Sequence, residues 1–280
     1  MEKKLVFFDI DGTIWDWQRV VPDSARETIR KMRENGHLAF ICSGRAKGNI
    51  RAPWLLDIGF DGMVAACGAY IEYEGEIIYN RLIEPEQVKK TVEVLDRCRM
   101  PFVLEGPVKH WVSDWGFDRD DYVANLFELL KDDAIVFKGY NDGIEINKFS
   151  ADILGQTDYR SIRAELGDYY NFIEHGVTPD VLQEAAHKGK PLEILGVIEA
   201  VPKGLSKGVG LKKICERLGI APEDTIAVGD SVNDLEMFEA AGTAIAMGNA
   251  TEPAKQAADW ITTNIHDDGI MNAMRHFGLI

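Results

Sequence analysis

The sequence predicts an α/β protein in which a doubly wound parallel sheet is interrupted by an inserted α+β domain. Three observations predict this fold class: short apolar runs that end in polar turns, helical patterns between those runs, and a long central stretch of different character. Short continuous apolar runs are typical of strands that are buried on both faces, as in parallel sheets. Their alternation with helices favours a doubly wound sheet.

The strands of the parallel sheet are predicted by apolar runs at positions 5–8, 38–42, 63–67, 225–228 and 243–247. Between the first two, Ser24 and Glu27 predict a capping box at the start of a helix that stops at Gly36. Ser206 predicts the start of a later helix, and Gly219 predicts its end. Because ligands bind at the carboxyl ends of the strands in such a sheet, the polar residues that follow these runs are the first candidates for a site.

The central stretch, residues 84–199, predicts the inserted α+β domain. It mixes helical patterns at 87–99, 120–131 and 159–166 with short strand-like runs at 102–104, 143–147 and 192–195. The core that carries the parallel sheet is then predicted in two parts, residues 1–83 and 200–280.

The composition indicates a globular protein and excludes several classes of function. The 280 residues include 46 acidic and 31 basic ones, a net charge of −15, and 46% of the residues are hydrophobic. This acidic balance argues against binding to nucleic acid or to an anionic membrane surface, both of which need basic residues. The first apolar run has only four residues, too few for a signal peptide or a membrane span. The four cysteines show no CxxC spacing, and the simplest location is a reducing cytoplasm.

Two carboxylates follow the first predicted strand, in the run Asp9-Ile10-Asp11-Gly12-Thr13. Both can face one cleft only if the strand has ended and the chain turns, which Gly12 permits. Paired carboxylates suit a hard cation such as Mg²⁺, and they also suit a division of roles between a nucleophile and an acid or base. A polar turn with surface acids is the competing interpretation, and this run alone does not decide between them.

A second acidic run follows the fourth predicted strand and reads Gly229-Asp230-Ser231-Val232-Asn233-Asp234. Asp230 is placed to supply a further oxygen to a cation, and Asn233 and Asp234 are placed to orient the groups around it. Asp234 alone could also be an acid that faces a helix dipole. Two acidic strand ends in one sheet favour a shared cation site over either alternative.

A candidate anion site follows the second predicted strand, at Ser43-Gly44-Arg45. A hydroxyl and turn amides bind anions, and Gly44 allows close approach of the backbone; a simple helix cap is the alternative. Lys207 lies in the first turn of its helix, where the dipole disfavours a cation, and this position indicates an anionic partner. Together these groups fit phosphoryl transfer, in which the repulsion between a carboxylate and a phosphate must be neutralised.

The motifs DIDGT, SGR, SKGVGL and GDSVND, in this order, resemble those of haloacid dehalogenase (HAD) superfamily phosphatases, and more closely the Cof-type branch, subfamily IIB. The resemblance runs the length of the chain and implies a Rossmann-like core. It implies that Asp9 is the nucleophile that forms an aspartyl-phosphate. It also implies that Asp11 protonates the leaving group and then activates water, and that Mg²⁺ is bound by the Asp9 carboxylate, the Asp11 carbonyl and Asp230.

The resemblance assigns roles to the other motif residues as well. It implies that the phosphate is bound by Ser43, Gly44, Lys207 and Asn233, and that the site is supported by Thr13, Arg45 and Asp234. An acid two residues after the nucleophile favours a phosphatase, since similar dehalogenases lack it. More than half of the chain separates Ser43 from Lys207, so the insertion follows the second motif, as in Cof-type proteins whose cap covers the site and selects the substrate.

One departure from the family pattern concerns position 67. Relatives commonly read Asn-Gly-Ala after the third strand, whereas this chain reads Cys67-Gly68-Ala69. No polar role is therefore predicted for the side chain at position 67.

The sequence as a whole predicts a cytoplasmic Mg²⁺-dependent phosphatase of small phosphorylated metabolites, sugar phosphates among them, that is a monomer or a small homo-oligomer. A phosphomutase or phosphotransferase with the same aspartyl-phosphate is the enzymatic alternative. A signalling receiver domain also combines acids, Mg²⁺ and a lysine, but it is about half as long and lacks a large insertion. A non-catalytic metal-binding protein is the last alternative, and the intact Asp9 and Asp11 argue against it.

Overall fold

The computed structural model of the protein describes residues 3–115, 121–137, 139–140, 142–175 and 194–280, with 121 and 122 in main chain only. The chain forms two units. The first comprises Met1–Arg45, Arg51–Asn80 and Leu205–Ile280, and the second comprises Ala46–Ile50 and Arg81–Gly204. The predicted insertion, residues 84–199, falls within the second unit.

The described strands are, in chain order, β1 (Leu5–Phe8), β2 (Leu38–Cys42), β3 (Gly62–Ala65), β4 (Tyr70–Tyr73), β5 (Glu76–Asn80), β6 (Phe102–Glu105), β7 (His110–Ser113), β8 (Ala134–Phe137), β9 (Lys148–Leu154), β10 (Tyr170–His175), β11 (Ile194–Pro202), β12 (Thr225–Gly229), β13 (Thr243–Ala246) and β14 (Trp260–Ile261). The described α-helices are α1 (Asp23–Glu34), α2 (Pro53–Leu56), α3 (Pro85–Arg97), α4 (Asp121–Leu130), α5 (Tyr159–Leu166), α6 (Lys207–Leu218), α7 (Leu235–Ala240), α8 (Glu252–Ala257) and α9 (Gly269–His276). None of these helices is both long and apolar enough to cross a membrane.

The first unit is built on an eight-stranded sheet with the order β14-β13-β12-β1-β2-β3-β4-β5. The six strands from β14 to β3 run parallel, and β4 and β5 extend the β3 edge as antiparallel strands. Every residue of β1, β3 and β12 is buried, as expected for strands covered on both faces. Helix α1 packs against α9, and α6 packs against α7. The predicted doubly wound parallel sheet is therefore confirmed.

The predicted ends of two helices can be compared with the observed ends. Ser206 caps α6, because its hydroxyl accepts a hydrogen bond from the Val209 amide at 3.2 Å, and Gly219 ends this helix in the left-handed conformation. The predicted capping box at Ser24 is wrong. Helix α1 begins one residue earlier, at Asp23, with Pro22 at the cap position and no side-chain cap hydrogen bond.

The second unit is built on a six-stranded sheet with the order β10-β11-β9-β6-β7-β8. Its neighbours pair antiparallel except for β7 and β8. Alternate residues point to opposite faces: Phe102 and Leu104 join a core with residues of α3 and α5, whereas Val103 packs with residues of α4. An α+β composition is what the central stretch predicts.

The structure corrects some details of that central stretch. The predicted helix at 159–166 has the observed bounds of α5, and the predicted strand at 102–104 forms most of β6. The run 143–147 is not a strand, since β9 begins only at Lys148. The run 192–195 lies partly outside the described residues.

Candidate active site

The carboxyl ends of two adjacent strands bring the first two acidic runs together. Strands β1 and β12 pair in parallel with Phe8 opposite Val228, and the Asp9 amide donates to the Val228 carbonyl at 2.9 Å. Asp9 and Asp230 therefore follow neighbouring strands at the same sheet edge. Asp9, Asp230 and Asp234 each place a carboxylate oxygen within 4.8 Å of the others.

Lys207 joins these acids in a buried network. Its side chain is 0% exposed, and its ammonium donates to Asp9 Oδ1 at 2.6 Å, to Asp234 Oδ1 at 2.6 Å and to Asn233 Oδ1 at 2.9 Å. Three acceptors match the three N–H groups of an ammonium. Burial alone would lower the pKa of Lys207, but the charges of Asp234 and Asp9 hold it well above its ordinary value. Lys207 is therefore a fixed positive charge beside Asp9.

Asp234 organises the loop after β12. Its Oδ2 accepts from the amides of Asp230 and Ser231 at 2.9 and 3.0 Å, while its Oδ1 accepts from Lys207. Both oxygens are thus engaged by the protein, and Asp234 positions Asp230 and Lys207. Gly229 lies against it so closely that a Cβ there would be 2.5 Å from Asp234 Oδ2.

Asp230 is a partly buried carboxylate without an ion pair among the described residues. The Thr13 hydroxyl donates to it at 3.3 Å, and Gly12 approaches it so closely that a Cβ would be 2.3 Å from Asp230 Oδ2. Burial, followed by the charge of Asp234, raises the pKa of Asp230 to about 7. Burial also raises the pKa of Asp9 well above its usual range, against the opposing charge of Lys207. Crowded carboxylates of this kind fit a divalent cation, which takes oxygen ligands.

Asp11 belongs to a separate group of side chains. Arg45 donates from Nε to Asp11 Oδ2 at 2.6 Å and from Nη2 to Oδ1 at 2.8 Å, and Trp15 Nε1 donates to Oδ1 at 2.8 Å. Burial would raise the pKa of Asp11, but the charge and hydrogen bonds of Arg45 and the Trp15 bond lower it below its ordinary value. The Asp11 side chain remains 53% exposed, so the carboxyl is accessible.

The Ser43 run forms a turn directly after β2. Ser43 is buried at the end of β2, and its Oγ accepts a hydrogen bond from the Arg45 amide at 3.1 Å, which leaves the hydroxyl proton for another acceptor. Gly44 is also buried. Cys67 donates its amide to the Ser43 carbonyl at 3.1 Å and adopts a φ of 49°. Asparagine tolerates that left-handed conformation better than most residues, so the main chain at position 67 would also suit the Asn of the family pattern.

Sequence reasoning missed two residues of this region. Trp15 is buried, and its indole donates a hydrogen bond to Asp11. Asn249 donates to the Gly12 carbonyl at 2.8 Å and accepts from the Ile265 amide at 3.0 Å, so it ties the Gly12 turn to a distant loop. No spacing in the sequence marks Asn249, because its partners lie far away along the chain.

A family model described as haloacid dehalogenase-like hydrolase matches residues 6–274. The chain belongs to this family. The Bacillus subtilis (strain 168) protein named "Putative phosphatase YkrA" is 30% identical over 282 residues, and the match covers 100% of both chains. The 5-amino-6-(5-phospho-D-ribitylamino)uracil phosphatase YcsE of the same organism is 28% identical over 283 residues, which cover 99% of this chain and 96% of YcsE.

Solved structures agree with this assignment. The HAD subclass IIB sugar phosphatase BT4131 superposes with a TM-score of 0.78 at 26% identity, and the match covers 99% of this chain and 100% of BT4131. The resemblance predicted from the four motifs is therefore confirmed: the protein is a hydrolase of this family, and YkrA, YcsE and BT4131 all carry phosphatase names.

Proposed function

We propose that the protein is a Mg²⁺-dependent phosphatase that hydrolyses small phosphorylated metabolites through an aspartyl-phosphate on Asp9. The observation that carries the proposal is the contact of the buried Asp9 carboxylate with the Lys207 ammonium, beside the carboxylate of Asp230. A carboxylate in this position can approach a phosphate dianion because a fixed positive charge offsets their repulsion.

Asp9 and Asp230 are the side chains that would hold the cation, with the Asp11 carbonyl as a further oxygen. Asp234 has a supporting role in this proposal, because its Oδ2 accepts two main-chain amides and its Oδ1 accepts from Lys207. When bound, Mg²⁺ supplies positive charge that neutralises the phosphoryl oxygens and the clustered carboxylates.

The residues of the chain divide the reaction into two displacements. In the first, an oxygen of Asp9 bonds to phosphorus, the bond from phosphorus to the leaving oxygen breaks, and Asp11 gives its proton to that oxygen to form the alcohol. In the second, Asp11 takes a proton from water, and the water oxygen displaces Asp9 from phosphorus to release inorganic phosphate. Ser43 and Lys207 bind the phosphoryl group, while Asn233 and Asp234 hold Lys207 in place.

Sugar phosphates are the substrate class to test first, and they are proposed because BT4131 is a sugar phosphatase. The YcsE name adds a second candidate class, a phosphorylated ribitylamino pyrimidine. We also propose that the protein is located in the cytoplasm, which is consistent with the four cysteines being free of disulfides among the described residues. For its oligomeric state we propose a monomer or a small homo-oligomer.

The test compares phosphate release from a metabolite panel by the wild type, by Asp9→Asn and by Asp57→Asn, whose carboxylate is exposed. We expect D57N to retain wild-type turnover and D9N to lose at least about 100-fold in kcat, because the covalent route through Asp9 is removed. Acid-quenched wild type should carry one phosphoryl group, and D9N none. Substantial turnover by D9N would exclude Asp9 as the nucleophile, and an isomerised product without free phosphate would indicate a mutase.

A further inference from the structure

We propose that Trp15 is a positioning residue for Asp11. The indole N–H of Trp15 holds the Asp11 carboxyl so that its Oδ2 carries the proton given to the leaving group. This inference rests on the proposed function, in which Asp11 is the acid. No predicted motif includes Trp15, and its role follows from the contacts around the Asp11 turn.

The indole of Trp15 is committed to Asp11. Trp15 is 1% exposed, and its Nε1 donates to Asp11 Oδ1 at 2.8 Å. A buried indole N–H needs a hydrogen-bond acceptor, and Asp11 is the acceptor that the described residues offer it. Loss of this bond would leave the donor unsatisfied in the core, so the contact fixes the carboxyl as well as the indole.

The main chain ties the same two residues together. The Gly12 amide donates to the Trp15 carbonyl at 2.8 Å, and the Trp15 amide donates to the Ile10 carbonyl at 3.1 Å. The indole therefore projects from the turn that carries Asp11, and the two side chains share one rigid frame. Arg45 completes the group, since its guanidinium carbon lies 5.2 Å from the Trp15 ring centroid while it bonds both Asp11 oxygens.

The hydrogen bonds distinguish the two oxygens of Asp11. Oδ1 accepts from Trp15 and from Arg45 Nη2, whereas Oδ2 accepts only from Arg45 Nε among the described residues. A carboxylate oxygen offers about two acceptor sites. Oδ1 is therefore filled and Oδ2 keeps one open, so a proton on Asp11 belongs on Oδ2.

Without the indole N–H, the fork of Arg45 would hold both oxygens alike. The proton would then divide between Oδ1 and Oδ2, and the carboxyl would lose one of its three fixed contacts. The cost falls on the step in which the bond from phosphorus to the leaving oxygen breaks and the Oδ2 proton moves to that oxygen. A leaving group that is stable as an anion, such as p-nitrophenolate, does not need this proton.

The test compares kcat/KM for an alkyl phosphate and for p-nitrophenyl phosphate, since this parameter covers the steps through departure of the leaving group. Trp15→Phe keeps a ring beside Arg45 and removes the donor, and Trp17→Phe is the control, because Trp17 is 87% exposed. For W15F we expect kcat/KM to fall about tenfold on the alkyl phosphate and less than about twofold on p-nitrophenyl phosphate. The tenfold fall is a part of the roughly 10²–10⁴-fold rate increase that a general acid contributes. W17F should match the wild type on both.

Two further measurements keep the inference testable if W15F folds poorly. Site-specific replacement of Trp15 by its benzothiophene analogue keeps the shape and removes only the N–H, and it should reproduce the selective loss. Combining W15F with Asp11→Asn should give no further loss on the alkyl phosphate beyond D11N alone, because Trp15 acts through Asp11.

The outcomes separate this role from the proposed function. Equal losses on both substrates, or an additive loss in the double variant, would show that Trp15 only supports the fold and would overturn the inference. An unchanged kcat/KM in both variants at position 15 would overturn it as well. A wild type that releases phosphate from no member of the metabolite panel would overturn the proposed function, and the Asp11 role with it.

Discussion

Replacement of Lys207 by methionine is the most direct perturbation of the buried network. Lys207→Met keeps an unbranched side chain of similar length in α6 but removes the ammonium that bonds Asp9, Asp234 and Asn233. The variant leaves two buried carboxylates facing each other without their shared cation. We expect it to lose both stability and phosphatase activity.

The magnitude follows from the burial and geometry of the pairs. Removing one partner of a fully buried ion pair costs about 3–5 kcal/mol, because the remaining charge is uncompensated. Lys207 has two such partners, each at 2.6 Å and each almost inaccessible to solvent. Removing a cation from the first turn of α6 relieves the helix dipole by only about 0.3–1 kcal/mol. The expected net loss therefore remains about 3–5 kcal/mol near neutral pH.

The loss should depend on pH in a defined direction. Lys207 lowers the pKa of Asp9, so in the variant the pKa of Asp9 rises further above its ordinary value. A group whose pKa is raised in the folded state favours folding at low pH, and this contribution disappears as the pH rises. The variant should thus be closest to the wild type in mild acid and furthest from it at pH 8.

Urea unfolding at pH 5.5 and pH 8 measures these differences in the absence of divalent cations. Lys212→Met is the matched control, since Lys212 lies in the same helix and is exposed. We expect K212M to unfold like the wild type to within about 0.5 kcal/mol, as surface substitutions do. A K207M protein as stable as K212M at pH 8 would refute the argument that this ion-pair network holds the site together.

Three further predictions concern other contacts. Gly12→Ala should abolish phosphate release and cation binding, since φ is 81° there and a Cβ would lie 2.3 Å from Asp230 Oδ2; isothermal titration with Mg²⁺ checks the binding. Because the pKa of Asp230 is about 7, Mg²⁺ affinity in the wild type should rise from pH 6 to pH 8, and Asp230→Asn should remove both the affinity and its pH dependence. Burial would raise the pKa of Glu199, but the charge of Lys148 lowers it below the ordinary value of 4.5. The Glu199–Lys148 pair therefore stabilises the fold fully above pH 4.5, and this stabilisation is lost as the pH falls below that value. Glu199→Gln should therefore destabilise the protein at pH 7 by about 3 kcal/mol and by less at pH 3, as measured by urea unfolding.

The parts of the fold that the sequence predicts best are the strands with two buried faces. The runs in β1, β2 and β12 are continuous and apolar, so their residues alone indicate a strand. Strands β7 and β9 were missed because they mix apolar residues with Lys148, Ser150, His110 and other polar residues of the second unit's sheet. Single polar residues are also ambiguous signals for helix starts, as the wrong prediction of a capping box at Ser24 shows.

In the candidate site, the residues that could be predicted from the sequence are those that the sheet topology places at strand ends. Asp9 and Asp230 each follow a recognisable strand, so the sequence places both at the carboxyl edge of a parallel sheet, and the pairing of β1 with β12 brings them together. The bond from Trp15 to Asp11 depends on the orientation of a buried ring, and that of Asn249 to Gly12 on two distant loops. Neither condition leaves a periodic or spaced signal in the sequence.

The two carboxylates of the first motif have pKa values displaced in opposite directions, although they are only two residues apart. Burial raises the pKa of Asp9, and Arg45 and Trp15 outweigh burial to lower that of Asp11. The proposed reaction needs an ionised Asp9, whose pKa Lys207 lowers against the effect of burial, and a protonated Asp11. Positive charge bound at Asp9 and Asp230 lowers their pKa values, and a phosphate dianion beside Asp11 raises its pKa. It follows that bound cation and substrate shift both pKa values toward the protonation states that the proposed reaction needs.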